Sequence, residues 1–205
     1  MKFFLTVVLA CLASVAAAEP LQLASRAGDT SGSEVRERSA ESTEWRSYAV
    51  PGRGRVMFKL PVSWADNPPE GVLARQFELR WMKPGPARFL VRLTIAWGET
   101  PFDRPAPDIL RNLIESGWQQ VAEQSLEPQV SFKVIEHPRG GGFYYSATDK
   151  ALIPLEQEDN YKYITQVAMS IEDLLVMATV LSHDPDSYIA EQVLEMLRTA
   201  RRSLD

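Results

Sequence analysis

The chain has 205 residues, of which 22 are Lys or Arg, 27 are Asp or Glu and one is Cys. That length suits one domain of ordinary size with a tail. A formal charge of -5 and a pI near 5.2 argue against a sequence-independent nucleic-acid binder, which needs a basic footprint. With 45% hydrophobic and 24% charged residues, the composition is that of a globular chain with an apolar core.

The first 18 residues read as an address. Lys2 supplies a positive charge, Phe3 to Ala13 is apolar apart from Thr6, and Ala16-Ala17-Ala18 precedes Glu19-Pro20. This is the layout of a secretory signal peptide with an A-x-A site, so cleavage is expected between Ala18 and Glu19. The apolar run is too short for a spanning helix, and the chain is expected not to cross a membrane. Val8-Leu9-Ala10-Cys11 loosely resembles a lipoprotein processing box, but the apolar run continues past Cys11 to Val15, so processing there is disfavoured. Cleavage removes Lys2 and Cys11, and the mature charge becomes -6. A chain without Cys holds no disulfide and no thiol chemistry. With 16 Arg against 6 Lys, as in GC-rich bacterial sequences, the expected destination is the periplasm.

Residues 19 to 47 are rich in Ser and mixed charge and poor in large apolar side chains. Such a segment buries too little apolar surface to offset its ordering entropy, and a flexible leader is expected there. A single domain is expected from Tyr48 to Asp205. Val56, Phe58 and Leu60 alternate with polar residues, as in a strand. Asn67-Pro68-Pro69-Glu70-Gly71 then predicts a loop. Phe77, Leu79 and Trp81 form a second strand, and Phe89 to Trp97 a third. The pair makes a hairpin around Lys83-Pro84-Gly85-Pro86.

Pro107 suits a first helical position, and Asp108 to Gln124 predicts a helix with Ile109, Leu110, Leu113, Ile114, Trp118 and Val121 on its apolar stripe. Gly117 in that helix suggests close packing beneath Trp118. Val130 to His137 and Phe143 to Asp149 predict strands on either side of a wide glycine turn, Pro138 to Gly142. Tyr161 to Ser170 and Ile171 to Ser182 predict two more. Leu174 to Leu181 is almost wholly apolar, which predicts a central strand buried on both faces. Asp184-Pro185 starts a last helix, with Ile189, Val193, Leu194 and Leu197 buried and Arg198, Arg201 and Arg202 at its C-terminal end. Short turns between neighbouring strands imply an antiparallel sheet. The fold class expected is α+β, an antiparallel sheet covered by helices in an α/β/α sandwich.

At this level the sequence resembles the PsbP-like family. The resembling features are Val56-Met57-Phe58-Lys59-Leu60-Pro61-Val62-Ser63-Trp64, the middle helix, the hairpin Arg139 to Tyr145, and the closing helix around Ala190 to Leu197. The match of pattern runs from Arg55 to Arg202. It implies an antiparallel sheet between helices and a largely non-enzymatic, partner-binding role, and it carries over no functional residue.

No catalytic, cofactor or metal set emerges from the residues themselves. His137 and His183 lie on different elements, and no G-x-S-x-G accompanies His183-Asp184. The glycines at 140 to 142 lead into a strand, whereas a phosphate cradle leads into a helix. Glu156, Glu158 and Asp159 lack calcium-loop spacing. The candidate partner-binding residues are Arg139, Tyr144, Tyr161, Lys162 and Tyr163, aromatics beside cations. The function expected is a non-catalytic periplasmic binding or accessory protein of unknown protein or small-molecule partner. An envelope hydrolase using His183 and Asp184, or a small-molecule carrier with a pocket between sheet and helix, is the alternative.

Overall fold

The structure is a computed structural model, and it describes residues 42–73, 76–83, 89–99, 103–151, 161–183 and 188–204. Signal cleavage at Ala18 and Glu19, the Lys83-Pro84-Gly85-Pro86 turn past its first residue, the 156–159 acidic loop and the Asp184-Pro185 helix start lie outside the described residues. Among the described residues, no helix is long and apolar enough to cross a membrane.

Among the described residues, two antiparallel sheets and two α-helices build the domain. In chain order the elements are β1 (Thr43–Ala49), β2 (Arg55–Pro61), β3 (Ala65–Leu73), β4 (Gln76–Lys83), β5 (Phe89–Trp97), α1 (Pro107–Val121), β6 (Lys133–His137), β7 (Gly140–Thr148), β8 (Tyr163–Ile171), β9 (Leu174–Ser182), α2 (Tyr188–Thr199) and β10 (Arg201–Ser203). The large sheet has the order β3-β4-β5-β9-β8-β7-β6, and the small one β1-β2-β10. All pairings are antiparallel.

β9 is the middle strand of seven, and its alternation shows why it is apolar throughout. Leu174, Val176, Ala178 and Val180 enter the main core, while Leu175 and Met177 pack with Leu110 of α1 on the opposite face. Helix α1 also covers Tyr145, Ala147 and Ala168 through Ile114. The other face is covered by α2, whose Ile189, Val193, Leu194 and Leu197 join the main core. The inner residues of the small sheet, Val56, Phe58 and Leu60, are fully buried in the same cluster. Each such side chain contributes roughly 1.5–3 kcal/mol of transfer free energy. The fold is therefore α+β with both faces of the main sheet covered. One cover is a helix, and the other combines a helix with a second sheet.

An aromatic seam joins the sheets. Phe58 lies edge-on to Trp81 at 6.2 Å, and Trp64 packs on Phe89 at 4.7 Å. Trp81 Nε1 donates to the Tyr48 hydroxyl at 3.3 Å. Trp64, from the motif that closes β2, is thus a core residue.

Several elements depart from the sequence expectation. The first strand begins at Thr43, inside the segment read as a leader. Its polar, exposed outer residues hide a strand that has only one apolar cluster to face. The Asn67-Pro68-Pro69-Glu70-Gly71 run lies within β3, not in a loop. Proline cannot donate to a ladder, and β3 accommodates it as an edge strand with register shifts after Asn67 and Glu70. Helix α1 ends at Val121 and tightens into a 3₁₀ turn over Ala122–Gln124. Helix α2 ends at Thr199, so Arg201 and Arg202 belong to β10 and not to a helix terminus.

The glycine run is also placed differently. The turn between β6 and β7 is Pro138-Arg139, and the three glycines open β7. Only Gly141 among them has a positive φ, 123°. Gly140 and Gly142 are required by proximity: a Cβ at Gly142 would sit 2.1 Å from Ala168 O, and one at Gly140 would sit 1.9 Å from Ser170 O. In α1, Gly117 leaves room for the Gln166 side chain, whose Oε1 would lie 2.3 Å from an added Cβ. Gln166, and not Trp118, is the reason for that glycine.

Candidate functional site

The five residues proposed from sequence do not form one patch. The β7–β8 ladder runs from Gly140↔Ile171 at one end to Thr148↔Tyr163 at the other, a span of roughly 25 Å. Arg139 sits at the first end, exposed, with Nη1 2.7 Å from Glu172 Oε1. Tyr161, Lys162 and Tyr163 sit at the second. Tyr161 stacks on His183 at 5.4 Å, and Lys162 Nζ donates to Ala151 O at 2.7 Å and to Asp149 O. Tyr144 lies between the ends, half-buried on the α2 side, with Lys133 Nζ 5.8 Å from its ring. His137 and His183 are divided in the same way. His137 accepts from Arg139 N–H at Nδ1 and bonds Ala200 O through Nε2, both at 3.0 Å. That pair of bonds selects the tautomer with the proton on Nε2.

Tyr163 does line a cavity of about 150 Å³, together with Glu127, Ser146, Thr148, Thr165 and Ser182 from the sheet side and Ala190 of α2. Period two places these hydroxyls on the α2 side of β7, β8 and β9. Glu127 is held firmly: Thr148 Oγ1 donates to Oε1 at 2.8 Å, while Thr148 N–H and Ser125 Oγ donate to Oε2 at 2.8 and 2.6 Å. Burial pushes its carboxyl up, but these hydrogen bonds together outweigh burial and hold it below the usual value of 4.5. A carboxylate ionised at neutral pH therefore borders the cavity. Ser146 Oγ and Thr165 Oγ1 share one hydrogen bond of 2.8 Å, which leaves one hydroxyl proton uncommitted.

On the α1 side, Tyr145 is fully buried and donates to Gln166 Oε1 at 2.8 Å. Burial pushes its phenol well above the ordinary range. This pair serves the core.

A second surface is formed by the outward face of the small sheet. On β1 the outward positions are Thr43, Trp45, Ser47 and Ala49, and all four are exposed. They pair with β2, where Trp45 lies opposite Lys59, Ser47 opposite Met57 and Ala49 opposite Arg55. Arg201 and Ser203 of β10 lie opposite Met57 and Arg55. The Arg201 guanidinium reaches across to sit 4.5 Å from the Trp45 ring centroid, a cation–π contact. Arg55 Nε donates to Ser47 Oγ at 2.7 Å. Three cations, one tryptophan and one methionine thus share a face on which none of these strand positions is a carboxylate. Among the described residues, no carboxylate pairs with Arg55, Lys59 or Arg201. The sequence reading missed this face because it assigned Trp45 to a leader and Arg201 to a helix. The alternation of Arg55, Met57 and Lys59 against Val56, Phe58 and Leu60 was its available signal.

No family model matches the sequence, and no curated protein matches it. Among solved structures, the chain is similar to the solution structure of cyanobacterial PsbP (CyanoP) from Synechocystis sp. PCC 6803. The identity is 14%, the alignment covers 84% of this chain and 98% of that one, and the TM-score is 0.40. The elements themselves define the class, an α+β protein with two antiparallel sheets among the described residues.

Proposed function

We propose that the chain is a non-catalytic binding or accessory protein, exported to the periplasm after cleavage between Ala18 and Glu19. The observation that carries this reading is the outward face of the small sheet. Trp45 is 41% exposed, next to Met57, Arg55, Lys59 and Arg201, and Trp, Met and Arg are the side chains enriched where proteins meet partners. The Arg201 cation–π contact covers only part of the Trp45 ring, and the inner faces of the same strands already supply the packing.

Export is tested by fractionation and by the mass of the recovered chain, which should begin at Glu19. Binding is tested by placing a photo-cross-linking residue at position 45 and, as a control, at the exposed Leu126. A discrete adduct from position 45 alone supports the reading. Equal, diffuse labelling from both positions would remove it.

The cavity beside Glu127 favours a second reading, a carrier of a small polar molecule. A ligand that binds only the native state raises its unfolding temperature. A panel of small amines and polyols, screened by thermal shift against Glu127→Gln, would separate the two readings.

A further inference from the structure

We infer that the outward face of the small sheet docks on an anionic phospholipid surface. The inference rests on the binding reading above and names its partner. Three features point to a bilayer. The face is the outward side of a three-stranded sheet, which spreads its side chains over an area. Its cations stand apart from one another: Arg55 and Lys59 are four residues apart on one strand, about 13 Å, and Arg201 lies on the neighbouring strand. This spreads charge over an area of headgroups, where a single bidentate phosphate pocket would draw the cations together. Trp45 lies among them, and tryptophan favours the interfacial layer where its ring meets headgroups.

Charge settles the sign of the partner. The chain carries -5 overall, yet this face carries only positive side chains at its strand positions. The field is therefore polarised, and it orients this side toward negative charge. The same fact disfavours a second copy bound face to face. A two-fold contact would set each cation patch against itself.

The test is co-sedimentation of the processed chain with vesicles of equimolar phosphatidylglycerol and phosphatidylcholine, and with vesicles of phosphatidylcholine alone. Binding is expected only to the anionic vesicles and should weaken as salt is raised. Arg55→Gln, Lys59→Gln and Arg201→Gln should each lower partitioning about fivefold. Trp45→Phe should abolish a vesicle-induced blue shift in emission, since Trp64, Trp81 and Trp97 are buried and the partly buried Trp118 packs on the α1 side of the large sheet, away from this face. Arg111→Gln, on α1 and so on the opposite face of the large sheet, should leave partitioning unchanged. The near-ultraviolet circular dichroism of each variant reports whether it is folded. Equal binding to neutral vesicles, or equal loss in Arg111→Gln, would overturn the proposal. If vesicles fail to bind while the cross-linker at position 45 captures one protein, the lipid proposal falls and the binding reading stands.

Discussion

Arg202 and Asp173 meet at 2.7 Å with side chains 1% and 3% exposed, 29 positions apart in sequence. Asp173 lies in the β8–β9 turn, and Arg202 in the last strand. Asp173 also receives Arg53 Nη1 at 3.0 Å, and Arg202 donates from Nη2 to Arg53 O at 2.6 Å. One carboxylate thus joins the β1–β2 turn, the β8–β9 turn and β10. Arg202→Ala should therefore cost about 1.5–3 kcal/mol, because it removes a buried charge-assisted hydrogen bond while Arg53 still faces Asp173. Urea unfolding measures it. A cost under about 1 kcal/mol, typical of a surface pair, would contradict the buried geometry.

Gly142→Ala should cost about 3 kcal/mol or more, since the new Cβ meets the backbone of Ala168 and Met169, which cannot step aside. Thermal unfolding of the variant measures the loss. Full tolerance would mean that β7 and β8 are less closely apposed.

Gly117→Ala sets two effects in opposition. Helix propensity favours Ala by about 1 kcal/mol. The collision with Gln166 Oε1 breaks a buried hydrogen bond to Tyr145, at about 1–3 kcal/mol. Net destabilisation is expected. The cost should shrink in a Tyr145→Phe background, where that bond is already gone. A double-mutant cycle reads this coupling, and strict additivity would disprove it.

Glu127 predicts an acid limb. Its folded pKa lies below the unfolded value near 4.5, so its contribution is full above that value and disappears as pH falls through the folded one. Glu127→Gln should destabilise by about 1 kcal/mol at neutral pH. The gap to the parent should narrow as pH falls below 4.5 and close once it passes the lower folded value. A gap that stays constant with pH would show that the bonds to Ser125 and Thr148 do not depend on its charge.

Much of the large sheet was legible because burial there has a simple period. Phe89, Val91, Leu93, Ile95 and Trp97 alternate into one core. The unbroken run at Leu174 to Leu181 announced a strand covered on both sides. Helix α1 was equally clear from its stripe. β1 and β10 were not, because their stabilisation comes from partners distant in sequence: Arg46 caps Trp64 O at 2.7 Å, and Arg202 seeks Asp173. A three-residue strand has no period to read.

The residues alone therefore determined the α+β class, the two-sided cover and the order of the central elements, since hydrophobic period and turn chemistry are local properties. The tertiary structure alone decided that the first and last strands flank β2. That pairing turns Trp45, Arg55, Lys59 and Arg201 to one face, because hydrogen-bonded register, not sequence proximity, sets which side chains share a surface.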